Sequence, residues 1–178
     1  MPLQDTSRMD FDTSLQKNIE QLKKSLISQD ISFSELKIGD KDGVVIFAND
    51  LVDKDVLGEL VLRPALYYQG TPNAETLWKG FFCPEKQKIF EIKKGIDEVV
   101  FGNALLLCDD IDYAISFGIK QFEKRAITEP PTSTVIKGPR EGFVESLPIN
   151  VSLIRRRLKT PHLIFENMQA GKYSKTTV

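Results

Sequence analysis

Strands and helices alternate along this chain, and that alternation predicts an α/β (mixed α+β) fold. Three observations carry the reading: an amphipathic helix near the start, two short and almost wholly apolar segments of strand length, and helix-period segments between and after them. Together they describe a small sheet with packed helices, then a connector and the first elements of a second α/β subdomain.

Residues 1–12 show no periodicity and are expected to form a flexible leader. Leu15, Ile19, Leu22 and Leu26 recur at helical spacing behind Asp12, Thr13 or Ser14 as N-caps, which predicts a helix from about Ser14 to Ser28. Ile31 to Ile38 alternates, Gly39 to Gly43 has turn chemistry, and Val44 to Ala48 is nearly all apolar, so a hairpin follows. Val44-Val45-Ile46-Phe47 lacks polar alternation, the mark of a central strand covered on both faces. A helix opens near Asp53 and carries Val56, Leu57, Leu60 and Val61 up to Arg63-Pro64.

Gln69 to Lys88 mixes Gly70, Pro72, Gly80 and Pro84 with Trp78, Phe81 and Phe82, and reads as a loop packed over the core. A helix near Ile96 to Phe101, a strand Ala104 to Cys108, an Asp109-Asp110 turn and a strand Tyr113 to Ile119 complete a first subdomain over residues 13–125. Residues 126–142, with three prolines and two glycines around a short Thr132 to Ile136 strand, read as a connector. Residues 143–178 then hold a helix to about Leu158, a strand His162 to Met168, a Gly171-Lys172 turn and a strand opening at Thr176. Val178 is therefore expected to stop short of a domain end.

The helix after the connector has two apolar strips. Val144, Leu147, Val151, Ile154 and Leu158 fall on one side and are expected to face the core; Ile149 and Leu153 lie opposite, edged by Arg156 and Arg157. One strip serves the domain itself, and the other serves a second subdomain, a neighbouring subunit, a membrane-bound companion or further intramolecular packing. Pro148 is tolerated only in a first helical turn, so the regular helix starts near Ser146 or is kinked there.

Composition is that of an ordinary globular domain, 41% hydrophobic and 28% charged with a net charge of −1. The charge is unevenly placed: residues 137–178 hold eight Lys and Arg against three Asp and Glu, and the rest is acidic. No stretch approaches the ~20 apolar residues of a membrane helix, and the polar, acid-containing start is unlike a secretory signal. A cytosolic location is expected, with Cys83 and Cys108 as free thiols. His162, the single histidine, has no acid or thiol at ligand spacing, and Asp109, Asp110 and Asp112 do not make an EF-hand loop. Residues 137–142 precede a helix but are not a Walker or dinucleotide fingerprint. No catalytic group, metal or cofactor is therefore expected. An isoelectric point near 5.9 argues against a nucleic-acid module, although Arg155 to Arg157 keep a nucleic-acid- or anion-binding role as the alternative.

Glu129-Pro130, then Lys137-Gly138-Pro139-Arg140-Glu141-Gly142-Phe143-Val144-Glu145, then Asn150 and Leu153-Ile154-Arg155-Arg156-Arg157, then Gly171 and Ser174-Lys175-Thr176, resemble the signature stretch of GerA-type spore germinant receptor A subunits. Residues 31–62 are similar to that family more loosely, and residues 66–95 are not matched. The resemblance implies a non-catalytic N-terminal region of an A subunit, built of two α/β subdomains on the cytosolic side of the spore inner membrane. It implies work with B and C subunits and other A subunits, attachment to the membrane through the rest of the subunit, and nutrient-germinant signalling, with a small-molecule germinant as a further partner. Subunit-contact or signalling candidates by the same resemblance are Glu129, Pro130, Pro139, Arg140, Glu141, Phe143, Glu145, Asn150, Leu153, Arg155, Arg156 and Arg157. Pro148 and Ile149 depart from the polar residues usual there.

Overall fold

The computed structural model describes residues 9–121, 142–173 and 176–177. Its centre is a five-stranded antiparallel sheet in the order β1-β2-β4-β5-β3, built from β1 (Ile31–Ile38), β2 (Lys41–Ala48), β3 (Lys86–Ile89), β4 (Ala104–Cys108) and β5 (Ala114–Phe117). The fold is thus α+β, with the hairpin and β4 where the apolar runs placed them. The β1–β2 turn is only Gly39-Asp40, and Gly39 sits at φ +60, a left-handed conformation that a side chain resists. β2 is buried from Gly43 to Ala48, as expected of a segment without polar alternation.

Alternate side chains of β2 feed two separate apolar layers. Val44, Ile46 and Ala48 pack with Leu105 and Leu107 of β4 beneath α1 (Leu15–Ser25) and α5 (Ile92–Val100). Val45 and Phe47 pack with Leu106, Ile115 and Phe117 on the other side. That side is roofed by one continuous helical run, α2 (Lys54–Leu57), a π turn (Gly58–Leu62) and α3 (Arg63–Leu66), and by α4 (Ala74–Gly80). Pro64 brings no N–H to the carbonyl four residues before it, and the preceding turn widens so that Arg63 N–H reaches Gly58 O.

Several expectations are corrected. Met9–Asp12 are attached rather than loose: Phe11 is buried, its N–H reaches Phe90 O, and Met9 O accepts from Ile92 N–H. The supposed loop over residues 69–88 holds α4 and β3. Asn73 and Thr76 start α4 with a reciprocal capping box, a signal present in the sequence. The Asp109-Asp110 turn does more than reverse the chain, since Asp109 Oδ1 accepts from Leu15 N–H at 3.0 Å and caps α1 from a distance. Residues 162–168 form no strand. Among the described residues after 158, only Gln169–Ala170 (β6) pairs, with Thr176–Thr177 (β7), and the backbone of Phe165 is occupied elsewhere: its N–H goes to Ser28 Oγ, and its O accepts from Gln29 N–H. Of the connector expected over 126–142, all but Gly142 lies outside the described residues.

Candidate interaction surface

The C-terminal helix α6 spans Leu147–Arg157, with Ser146 as N-cap and Pro148 in the first turn, where its missing N–H removes no helical bond. Asn150 ties down the chain just before it: Val144 N–H donates to Asn150 Oδ1 at 2.8 Å, and Asn150 Nδ2 donates to Val144 O at 2.7 Å. The face turned inward shares Val151 with the expected stripe but is rotated from it. Val151, Ser152, Leu153 and Arg155 are buried, whereas Val144 and Leu158 are exposed.

Arg155 sets that rotation. Its side chain is 1% exposed, and its Nη2 and Nε donate to Asp30 Oδ1 and Oδ2 at 2.7 and 3.1 Å. The fork–fork geometry is the strongest an Arg–carboxylate pair adopts. Nη1 reaches Thr160 O at 3.1 Å, Nη2 lies 3.3 Å from Ser28 Oγ, and the guanidinium stands 5.1 Å from the Phe165 ring centre. All the polar atoms of the cation thus have partners in a dry setting, as burial of a charge requires. Beside it, Asp50 has its carboxyl pushed above the usual range, by burial first and then by the charge of Asp30.

Consecutive helix positions point about 100° apart, so three arginines in a row cannot share one direction. Arg156 is half-buried and donates to Gln121 O at 3.1 Å. Arg157 lines an open groove of about 410 Å³ together with Phe143, Leu153, Ile154 and Leu158. Phe143 is 71% exposed and Leu158 53%. Lys159 extends the same helix end toward the exposed Phe101, its Nζ 5.1 Å from the ring centre. The result is an apolar trough with Arg157 on its wall, the kind of exposed apolar surface that marks an interaction site.

Of the candidate residues, Phe143, Leu153 and Arg157 come together at this groove, Glu145 is exposed nearby in sequence, and Asn150 anchors the helix start. Arg155 faces the sheet domain. Glu129, Pro130, Pro139, Arg140 and Glu141 lie outside the described residues. Sequence reasoning missed Asp30, Ser28, Phe165 and Phe101; a signal did exist for Arg155, which stands four residues after Val151 and so on its buried face. Among the described residues no three His, Cys, Asp or Glu are grouped to hold a metal. Cys83 and Cys108 are buried free thiols, and burial pushes the Cys108 thiol up to about 11, away from nucleophilic use.

The family model described as Bacillus/Clostridium GerA spore germination protein matches residues 15–178. The chain belongs to the GerA family. The match runs from α1 through β7 and so takes in both the sheet and the groove. Among GerA relatives, the chain is 36% identical over 179 residues to spore germination protein KA of Bacillus subtilis, covering 93% of this chain and 32% of that protein. It is 29% identical over 177 residues to spore germination protein B1 of Bacillus subtilis, covering 96% of this chain and 36% of that protein. The chain thus spans about a third of the length of these relatives. Its fold is that of the N-terminal domain of the A subunit of the Bacillus megaterium spore germinant receptor GerK3, with a TM-score of 0.68 at 19% identity, covering 95% of this chain and 64% of that one. Among the described residues of this GerA chain, no helix is long and apolar enough to cross a membrane.

Proposed function

We propose that this chain works as the non-catalytic N-terminal domain of a germinant receptor A subunit, acting in nutrient-germinant signalling and in receptor assembly. The observation that carries the reading is the GerA match over residues 15–178, together with the fold shared with a receptor A subunit. In this reading the domain stands on the cytosolic side of the spore inner membrane, and its partners are B and C subunits and other A subunits. The trough of Phe143, Leu153, Ile154 and Leu158, with Arg157 on its wall, is the surface that meets one of them. Glu129, Pro130, Pro139, Arg140, Glu141, Glu145 and Asn150 keep their place as contact candidates by family resemblance. A nucleic-acid or anion site built on the arginine run would need three guanidinium groups in one place, and Arg155 is committed to Asp30.

Reversing both outer charges, Arg156→Glu with Arg157→Glu, in the full-length subunit is the test. Nutrient-triggered germination of the spores is expected to be lost, while the unfolding free energy of the domain changes by less than about 1 kcal/mol, as for charges near the surface. Normal germination in that strain would remove the surface from the account. A steeply salt-dependent affinity for RNA or DNA, abolished by the same changes, would favour the other reading.

A further inference from the structure

We propose that the Arg155–Asp30 pair is a latch: α6 and the segment after it dock on the α1–β1 turn as a unit and can release from it while the five-stranded sheet stays folded. The inference stands on the structure alone and does not depend on the receptor assignment. Neither of the two apolar layers that flank the sheet contains a residue of α6. Beside the buried Val151 and Leu153 and the Arg156–Gln121 O bond, the most heavily bonded join between the sheet domain and α6 with its following segment is a compact polar seam on Ser28-Gln29-Asp30. Arg155 grips Asp30 with two bonds, and Ser28 Oγ accepts from Arg155 Nη2 and from Phe165 N–H. Gln29 N–H reaches Phe165 O at 3.2 Å, and Asn167 N–H reaches Gln29 Oε1 at 2.8 Å.

Such a seam behaves differently from an oily one. Apolar contacts weaken gradually as surfaces slide, but a buried ion pair offers no halfway state: parted, both ions demand water at once. Either the bidentate grip holds or the helix leaves. Because the sheet keeps its own two apolar layers, departure of α6 uncovers little of what holds the sheet together, the condition for a local opening of low free energy. The exposed groove travels with α6, so release would reorient the trough relative to the sheet, a two-position element of the sort that switches use.

The test is hydrogen exchange on the whole 178-residue chain, wild type and Asp30→Asn. The variant keeps the side-chain shape and removes the charge that holds Arg155. Amides of 147–157 are expected to exchange at least about tenfold faster in it, with those of β2 and β4 changed less than about twofold. A rise of equal size in helix and sheet, no rise in either, or failure of the variant to fold would each count against the latch. Wild-type exchange at low urea then decides independently of any substitution. Opening of α6 with a shallower urea dependence than β4 supports the proposal, and exchange of both only through global unfolding overturns it.

Discussion

Phe81→Ala is expected to lower the unfolding free energy by about 3–5 kcal/mol, the range for deleting a fully buried aromatic ring. Phe81 follows α4 and is wholly buried in the layer beneath it, its ring 5.8 Å from that of Phe117 in an edge-on arrangement. Lys86 Nζ caps the same turn by donating to Trp78 O and Phe81 O at 2.7 and 2.5 Å while lying over the Trp78 ring. Loss of the ring therefore opens a cavity in a place that a helix, a strand and a lysine hold fixed. Phe82 is the built-in control: it is 81% exposed, and Phe82→Ala is expected to stay within about 0.5 kcal/mol. Urea unfolding of the two variants checks the pair, and equal losses would mean that the inward and outward faces of this segment are misassigned.

The second large effect is expected at the tip of the β1–β2 hairpin. Gly39→Ala places a side chain in the left-handed region, which costs about 1–2 kcal/mol by itself. It also drives a methyl group into the carbonyl oxygen of Gly70, on a loop that Thr71 fastens to Asp40 with a 2.6 Å hydrogen bond. A total near 3 kcal/mol follows, seen as a melting point lower by about 6–12 °C for a chain of this size. Gly58 is the contrasting glycine. Its dihedrals are helical, at φ −56 and ψ −49, and a methyl group there would meet nothing within 4 Å, so Gly58→Ala is expected to be neutral or to gain up to about 1 kcal/mol. A Gly39→Ala melting point equal to wild type would show that the hairpin tip and the Gly70 loop are not in contact.

What could be read from the residues was whatever repeats with the period of its own element. β4 shows itself as five apolar residues between Asn103 and Asp109, and the central place of β2 follows from a run with no polar partner face. α1 and α5 show their helical spacing, although their ends move by a few residues. Legibility fails where tertiary partners decide. Nothing local separates Phe81 from Phe82, or marks Asp109 as the cap of a helix 94 positions earlier in the chain. Residues 162–168 read as a strand because Leu163, Ile164 and Phe165 are apolar, yet Leu163 N–H turns back to Thr160 O and the Phe165 backbone is spent on Ser28 and Gln29.

The candidate surface was half legible for the same reason. The apolar spacing of residues 144–158 located a helix with two faces, but hydrophobicity alone misplaced the buried side, which takes Val151 from one strip and Leu153 from the other and leaves Val144, Ile149 and Leu158 exposed. A single desolvated charge outweighed Val144 and Leu158, because leaving Arg155 in a dry site without Asp30 would cost more than leaving two aliphatic side chains in water. The groove of Phe143, Leu153, Ile154, Arg157 and Leu158 exists as a consequence of that choice.

The central claim, that this GerA chain is a working part of a germinant receptor A subunit, is tested most directly by nutrient-triggered germination of spores that lack the encoding gene. The account predicts loss of the response to at least one nutrient and its return when the intact full-length subunit is supplied. Unchanged germination of the deletion spores with every nutrient to which the parent strain responds would contradict it.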